Sequence, residues 1–254
     1  MSGQINGQIN GPSGGQGTAQ TVGELWDRVT GTQAAPPSWL VLATGAVALV
    51  AVLYRPVWRY SRNAVTIAHE GGHGLAAVLT RRRLAGIRLH SDTSGLTLSY
   101  GRPTGPGMVL TLIAGYTAPA LLGLGCAALL ATDRITALLW LAVALLLALL
   151  IRIRNAFGLF SVLLTGAAFF LVSWFGSAEV QAGFAYLGSW FLLVGAVRPV
   201  LELQHQRRGG RAGGSDADQL ARLTGIPGLA WVGLFLVTAL ACLALGTSWL
   251  LRPL

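Results

Sequence analysis

The chemistry most legible in this chain lies in His69, Glu70 and His73. His69-Glu70-Gly71-Gly72-His73 is an H-E-x-x-H box. On a helix, positions i and i+4 share a face, so both imidazoles can reach one metal ion. Glu70 sits beside them, placed to take a proton from a water held by that ion. Random placement of the chain's four His and four Glu would give roughly 0.001 such boxes, so chance does not explain it. The competing reading is a pair of helix-packing histidines with a snorkelling Glu. That reading is weak, because the box lies in an apolar stretch and Glu70 has no cationic neighbour on its own turn.

A hydrolytic zinc site takes three protein ligands and keeps one position open. The third ligand must come from the same side as the box. His90, Asp92, Glu202, His205, Asp216 and Asp218 qualify, whereas Asp133 and Glu179 fall on the opposite side. Gly213-Gly214-Ser215-Asp216-Ala217-Asp218 is the most suggestive segment, since its glycines let a loop bend back. An Asp there can equally be a helix N-cap, and on residues alone the two readings of Asp216 stay open.

The elements that must position these groups are apolar. Hydrophobic residues make up 53% of the chain and charged residues 11%, with a mean hydropathy of +0.61. A soluble domain carries about 25% charged residues, so the composition describes an all-α polytopic membrane protein. All 18 basic residues are Arg. They sit between apolar segments, as topology determinants do, so the net charge of +9 does not imply a nucleic-acid partner. Cys126 and Cys242 fall in apolar stretches and suggest neither a disulfide nor a metal site.

Seven apolar segments read as transmembrane helices: Ser38–Tyr54, Ala64–Thr80, Gly107–Ala131, Ile135–Ile151, Ala156–Phe175, Val180–Val197 and Gly228–Leu251. The second carries the box. Residues 1–35 are polar, rich in Gly and Gln, lack the regions of a signal peptide, and read as a disordered tail with at most a short interfacial helix near Trp26. Residues 36–254 form the membrane domain, with 198–227 as a cytoplasmic loop. Counting arginines over seven crossings puts Arg28, Arg81–Arg83, Arg198 and most others on one side. It puts Arg55, Arg59, Arg62, Arg134 and Arg252 on the other. The excess predicts a cytoplasmic N-terminus, a multi-pass place in the inner (plasma) membrane, and a box in the cytoplasmic half of the bilayer.

Residues 85–102, between the second and third segments, predict a short β-hairpin. Ile87, Leu89, Leu96, Leu98 and Tyr100 alternate, and Ser91-Asp92-Thr93-Ser94-Gly95 supplies turn chemistry. Such a hairpin either dips toward the site, where its edge would pair with an extended substrate, or stays solvated at the surface.

Several of these segments resemble the site-2 protease family of intramembrane zinc metalloproteases, and more closely its compact bacterial M-fifty-B-like branch. The resemblance covers most of residues 60–235. Ala68-His69-Glu70-Gly71-Gly72-His73 is similar to the family's zinc box, and Gly86–His90 through Gly95-Leu96-Thr97 to its hairpin. Ala114–Pro119 is similar to the span that follows, and Arg154–Gly158 and Ser215-Asp216-Ala217 to patterns of this branch. The family's third ligand is an Asp, and the Ser-Asp-Ala match places it at Asp216 in preference to Asp218. Better-known members carry it in an Asp-Gly motif, which this chain lacks.

The resemblance implies an intramembrane zinc metalloendopeptidase. His69, His73 and Asp216 would hold Zn2+, Glu70 would act as base, and the substrate would be a membrane protein within the lipid bilayer. A proteolytically silent scaffold of the same fold is the alternative, although a silent relative has no need of Glu70. Asn155 is a candidate substrate-backbone contact, or else satisfies a helix terminus. Gly71 and Gly72 each cost roughly 1 kcal/mol in a helix, repaid by close packing or by room for substrate. Tyr116 and Pro119 read as packing residues, and His205 as solvated.

Overall fold

The structure, a computed structural model, describes residues 23, 26, 27, 29–210 and 213–252. Of the expected N-terminal tail, residues 1–22, 24, 25 and 28 lie outside them. The described chain is mostly helical, with one two-stranded antiparallel hairpin. Its order is α1 (Ser38–Leu53), α2 (Arg55–Leu79), β1 (Arg83–Leu89), β2 (Gly95–Tyr100), α3 (Pro106–Leu130), α4 (Ile135–Leu150), α5 (Ala156–Phe175), α6 (Ala178–Gly195), α7 (Val197–Arg208), α8 (Asp216–Thr224) and α9 (Gly228–Leu250).

Proline marks several starts, because its missing N–H and fixed φ suit the first helical turn. Pro56 opens α2, Pro106 opens α3, and Pro227 precedes α9. Gly225 ends α8 in the left-handed region, φ 74°. Helices α3, α5 and α9 are each long and apolar enough to cross a membrane. So is the stretch Ala178–Arg208, in which α7 continues α6. Helices α1 and α2 meet that requirement only as a pair, bent by 102° at Tyr54, and α4 is a shorter apolar helix. Phe160, Leu164 and Phe175 on α5 are largely exposed, as lipid-facing residues are.

Two expectations change here. Counting seven separate segments set Arg62 and Arg198 on opposite faces, yet both reach one carboxylate. Arg198 Nε donates to Glu202 Oε1 at 3.0 Å, and Arg62 Nη1 lies 3.6 Å from Glu202 Oε2. The bend at Tyr54 brings this about, folding the arginines at the start of α2 back against α7. Residues 198–227, expected as a loop, are largely helical: α7 and α8 occupy most of them.

The two ends of α4 define two faces. At its start, the Gln33 N–H donates to Asp133 O at 2.8 Å and the Thr136 N–H to Gln33 Oε1 at 3.1 Å, so the chain entering α1 meets the α3–α4 turn. At its other end, the Ile87 N–H donates to Arg152 O at 2.8 Å and the Arg154 N–H to Ile87 O at 2.9 Å. The hairpin therefore sits at the end of α4 away from Gln33. The second edge of β1 is covered by this short pairing, and β2 pairs only with β1 among the described residues.

Three buried groups hold the site elements. Ile87 and Leu89 pack with Ile67, Ile153 and Val162, fixing the hairpin between α2 and α5. Ala217 and Leu220, both fully buried, anchor α8 against Leu112, Val200 and Phe235. The largest group joins α1, α3, α4, α6 and α9 around Tyr186 and Leu193.

Candidate metal centre

The box occupies the second half of α2, and its helical spacing puts His69 and His73 on one face as the sequence requires. Their Nε2 atoms lie 3.0 Å apart, and their rings meet edge to face. His73 Nδ1 lies 2.7 Å from the Thr111 carbonyl of α3. A carbonyl only accepts, so Nδ1 carries the proton and Nε2 presents a lone pair to the site.

Helix α8 delivers the third group. Asp216 is its first residue, and Oδ2 lies 3.4 Å from His69 Nε2 and 3.3 Å from His73 Nε2. The cap of α8 is Ser215, whose hydroxyl accepts from the Asp218 N–H at 3.3 Å. Asp216 is thus free of capping duty. Gly214, at φ +96°, lets the chain turn into this helix.

The remaining candidates are engaged elsewhere. Asp218 pairs with Arg207 and accepts from the Ser215 hydroxyl at 2.8 Å. Glu202 is held by Arg62, Arg198 and the Trp58 indole N–H. Asp92 takes the Ser94 N–H and hydroxyl in the hairpin turn, which holds its carboxyl below the usual range. His90 and His205 are exposed. Among the described residues, His69, His73 and Asp216 are the one group with metal-binding spacing.

Glu70 is 4% exposed and points at the hairpin. Thr97 Oγ1 donates to Glu70 Oε2 at 2.6 Å. Gly95 lies so close to the Glu70 carboxylate that a Cβ there would overlap it. Thr66 Oγ1 donates to Thr93 O at 2.9 Å, docking the hairpin tip on α2. On β2, Gly95, Thr97 and Ser99 alternate with the exposed Leu96, Leu98 and Tyr100.

Asn155 stands at the N-cap of α5 but makes no side-chain cap bond. Its amide instead grips β1: Nδ2 donates to Leu89 O at 2.6 Å, and Oδ1 accepts from the Leu89 N–H at 3.2 Å. Tyr116 packs edge-on to His69 and stacks on Phe235.

The glycines of the box differ. A Cβ on Gly72 would meet Ala118 Cβ and, at 2.7 Å, Ala114 O, so Gly72 serves helix packing against α3. A Cβ on Gly71 would meet only Leu149, at 3.9 Å. Gly115 on α3 is the glycine that makes room for the centre, because a Cβ there would strike both imidazoles.

Thr97, Thr111 and Gly115 were not singled out for roles here from sequence. The signal for the last was the small-residue face Ala114-Gly115-Ala118 of the third apolar segment, which marks close approach by something bulky.

A family model described as Peptidase M50B-like matches residues 42–246. The chain belongs to the Peptidase M50B-like family. It is therefore a multi-pass membrane protein of a metalloprotease family, as its apolar helices require. No curated protein and no solved structure matches it.

Proposed function

We propose that this Peptidase M50B-like protein is an intramembrane zinc endopeptidase that hydrolyses a peptide bond of a membrane-embedded protein. The observation that carries the reading is the meeting of His69 Nε2, His73 Nε2 and Asp216 Oδ2 beside the buried Glu70 carboxylate. The donor set suits zinc: two imidazoles and one carboxylate, with the His73 tautomer fixed from behind by Thr111. Charge points the same way. Glu70 and Asp216 have no Arg partner among the described residues, and acidic groups at such a site call for a cation.

When bound, zinc supplies Lewis acidity, lowering the pKa of a water and polarising a carbonyl. Glu70 takes the proton of the attacking water and passes it to the leaving amine. The Thr97 hydroxyl fixes Glu70 Oε2, and the missing side chain of Gly95 leaves room for Oε1. The unpaired edge of β2 runs beside Glu70 and suits an extended substrate segment added as a strand, with Leu96 and Leu98 offering apolar contact. A helical substrate must unwind to use it. Asn155 acts on that segment through the hairpin, by holding Leu89.

The described contacts also favour six crossings over seven, with α1 and α2 as one broken span. Gln33 then lies on the face opposite the hairpin. Arg81–Arg83, Arg88, Arg102, Arg152 and Arg154 lie in or beside the hairpin, whereas Arg134 and Arg252 mark the other face. The arginine excess makes the hairpin face cytoplasmic, so Gln33 lies across the membrane from it.

The reading is tested by reconstituting the protein with membrane-anchored candidate substrates. Cleavage that vanishes in Glu70→Gln, with metal retained, is expected. Retained metal with no turnover by the wild type against a broad panel of such substrates would favour the silent scaffold.

A further inference from the structure

A second polar feature lies at the open end of the hairpin. There a cavity of about 600 Å³ is lined by Arg82, Arg83, Arg152 and Arg154 together with Tyr100 and Val78. No Asp or Glu lines it. Two of the guanidiniums are fixed by neighbouring groups. Arg82 Nε donates to Ser99 Oγ at 3.2 Å, and Arg154 Nη1 donates to the Ile151 and Ile153 carbonyls, both at 2.9 Å. Arg83 and Arg152 have no acceptor among the described residues and form none of the described ion pairs. Four like charges on one cavity repel each other unless an anion joins them.

The apolar residues at and next to the lining say what kind of anion. Val78, which lines the cavity, is 52% exposed, and Leu79 and Ile151, the chain neighbours of Val78 and Arg152, are 73% and 69% exposed, so uncovered apolar side chains accompany the arginines. Tyr100, 67% exposed, adds an aromatic ring of the kind enriched at membrane–water interfaces. Guanidiniums beside lipid-facing aliphatic groups match the two halves of an anionic phospholipid, headgroup phosphate and acyl chain. The cavity is distinct from the metal centre. It adjoins the Arg83↔Tyr100 pair, whereas Glu70 lies against Gly95 and Thr97 near the tip.

We propose that this cavity binds the phosphate of an anionic phospholipid. The headgroup would bridge the base of the hairpin, through Arg82 and Arg83, to the segment joining α4 and α5, through Arg152 and Arg154. Lipid charge would thereby steady the hairpin that orients Glu70. The proposal depends on the membrane placement alone, and it stands or falls independently of proteolysis.

The test is lipid retention by the full chain. Protein washed in detergent from mixed phosphatidylglycerol and phosphatidylcholine is weighed by native mass spectrometry. Wild type is expected to keep about one phosphatidylglycerol and to release phosphatidylcholine. Arg83→Gln/Arg152→Gln is expected to lose it roughly 10- to 30-fold more readily, whereas exposed Arg208→Gln retains it. Arg83→Lys/Arg152→Lys, which keeps the charge, serves if the Gln pair fails to fold and is expected to keep the lipid. Equal retention of both lipids by the wild type would overturn the proposal. So would unchanged retention in the folded Gln pair. Inorganic phosphate protecting lipid-free protein against heat as well as phosphatidylglycerol does would mean a free-anion site. A polyglutamate peptide displacing the lipid would mean an acidic-peptide site. Either result would replace the lipid as ligand.

Discussion

Thr97 Oγ1 and Glu70 Oε2 lie 2.6 Å apart, which ties the proposed base to a strand that pairs with β1 and is further held by α2 and Arg82. The contact crosses from the metal-binding helix to the strand proposed to receive substrate. Orientation of the carboxylate and presentation of the strand are therefore one structural variable. Thr97→Val keeps the shape and removes the hydroxyl. It is expected to retain metal and to lower kcat by roughly 10- to 100-fold, the scale of a misaligned catalytic group. Turnover measured alongside metal content checks this, and an unchanged kcat would detach Thr97 from the base.

Glycine substitutions separate room for the centre from helix packing. Gly115→Ala places a methyl against both imidazoles and is expected to abolish metal binding. Gly72→Ala presses α2 off α3 and is expected to cost about 1–3 kcal/mol of stability. Gly71→Ala meets only Leu149 and is expected to leave metal content unchanged, with a helix stabler by about 1 kcal/mol. Metal content and unfolding midpoints of the three variants distinguish these outcomes.

Asn155→Ala removes both bonds to Leu89 while leaving the metal ligands untouched. The hairpin is expected to loosen, shown by faster tryptic cleavage at Arg83 or Arg88, together with reduced activity and unchanged metal content. Lost activity with an unaltered hairpin would return Asn155 to direct substrate contact.

The crossing pattern has its own test. In a Cys126→Ala/Cys242→Ala background, Gln33→Cys and Arg102→Cys are labelled with an impermeant maleimide in sealed right-side-out vesicles. Six crossings predict label on Gln33→Cys and none on Arg102→Cys until the vesicles are opened. Seven crossings with a cytoplasmic N-terminus predict protection of Gln33→Cys.

The box was legible because helical spacing alone sets His69 and His73 on one face, whatever surrounds them. The hairpin was legible from period-two alternation with turn residues between. The meeting of Asp216 with the box is a matter of tertiary packing. Ala217 and Leu220 bury α8 against α3, α7 and α9, and nothing local to Ser215-Asp216-Ala217 fixes that. The bend at Tyr54 was hidden for a similar reason. Arg55, Arg59 and Arg62 read as a boundary between two spans, and the contacts of Arg62 and Arg198 with Glu202 that accompany the bend are tertiary and leave no local signal. Thr97, read from sequence only as part of an alternating strand, acquires its role from the register of the hairpin along α2.

The most direct measurement is the zinc content of the purified protein, wild type against His73→Ala, Asp216→Ala and Asp218→Ala. The account predicts near one zinc per chain in wild type and in Asp218→Ala, and loss in His73→Ala and Asp216→Ala. Zinc kept by Asp216→Ala but lost by Asp218→Ala would contradict the assigned ligand set, and a wild type that takes up no zinc even when supplemented would contradict the metalloprotease reading itself.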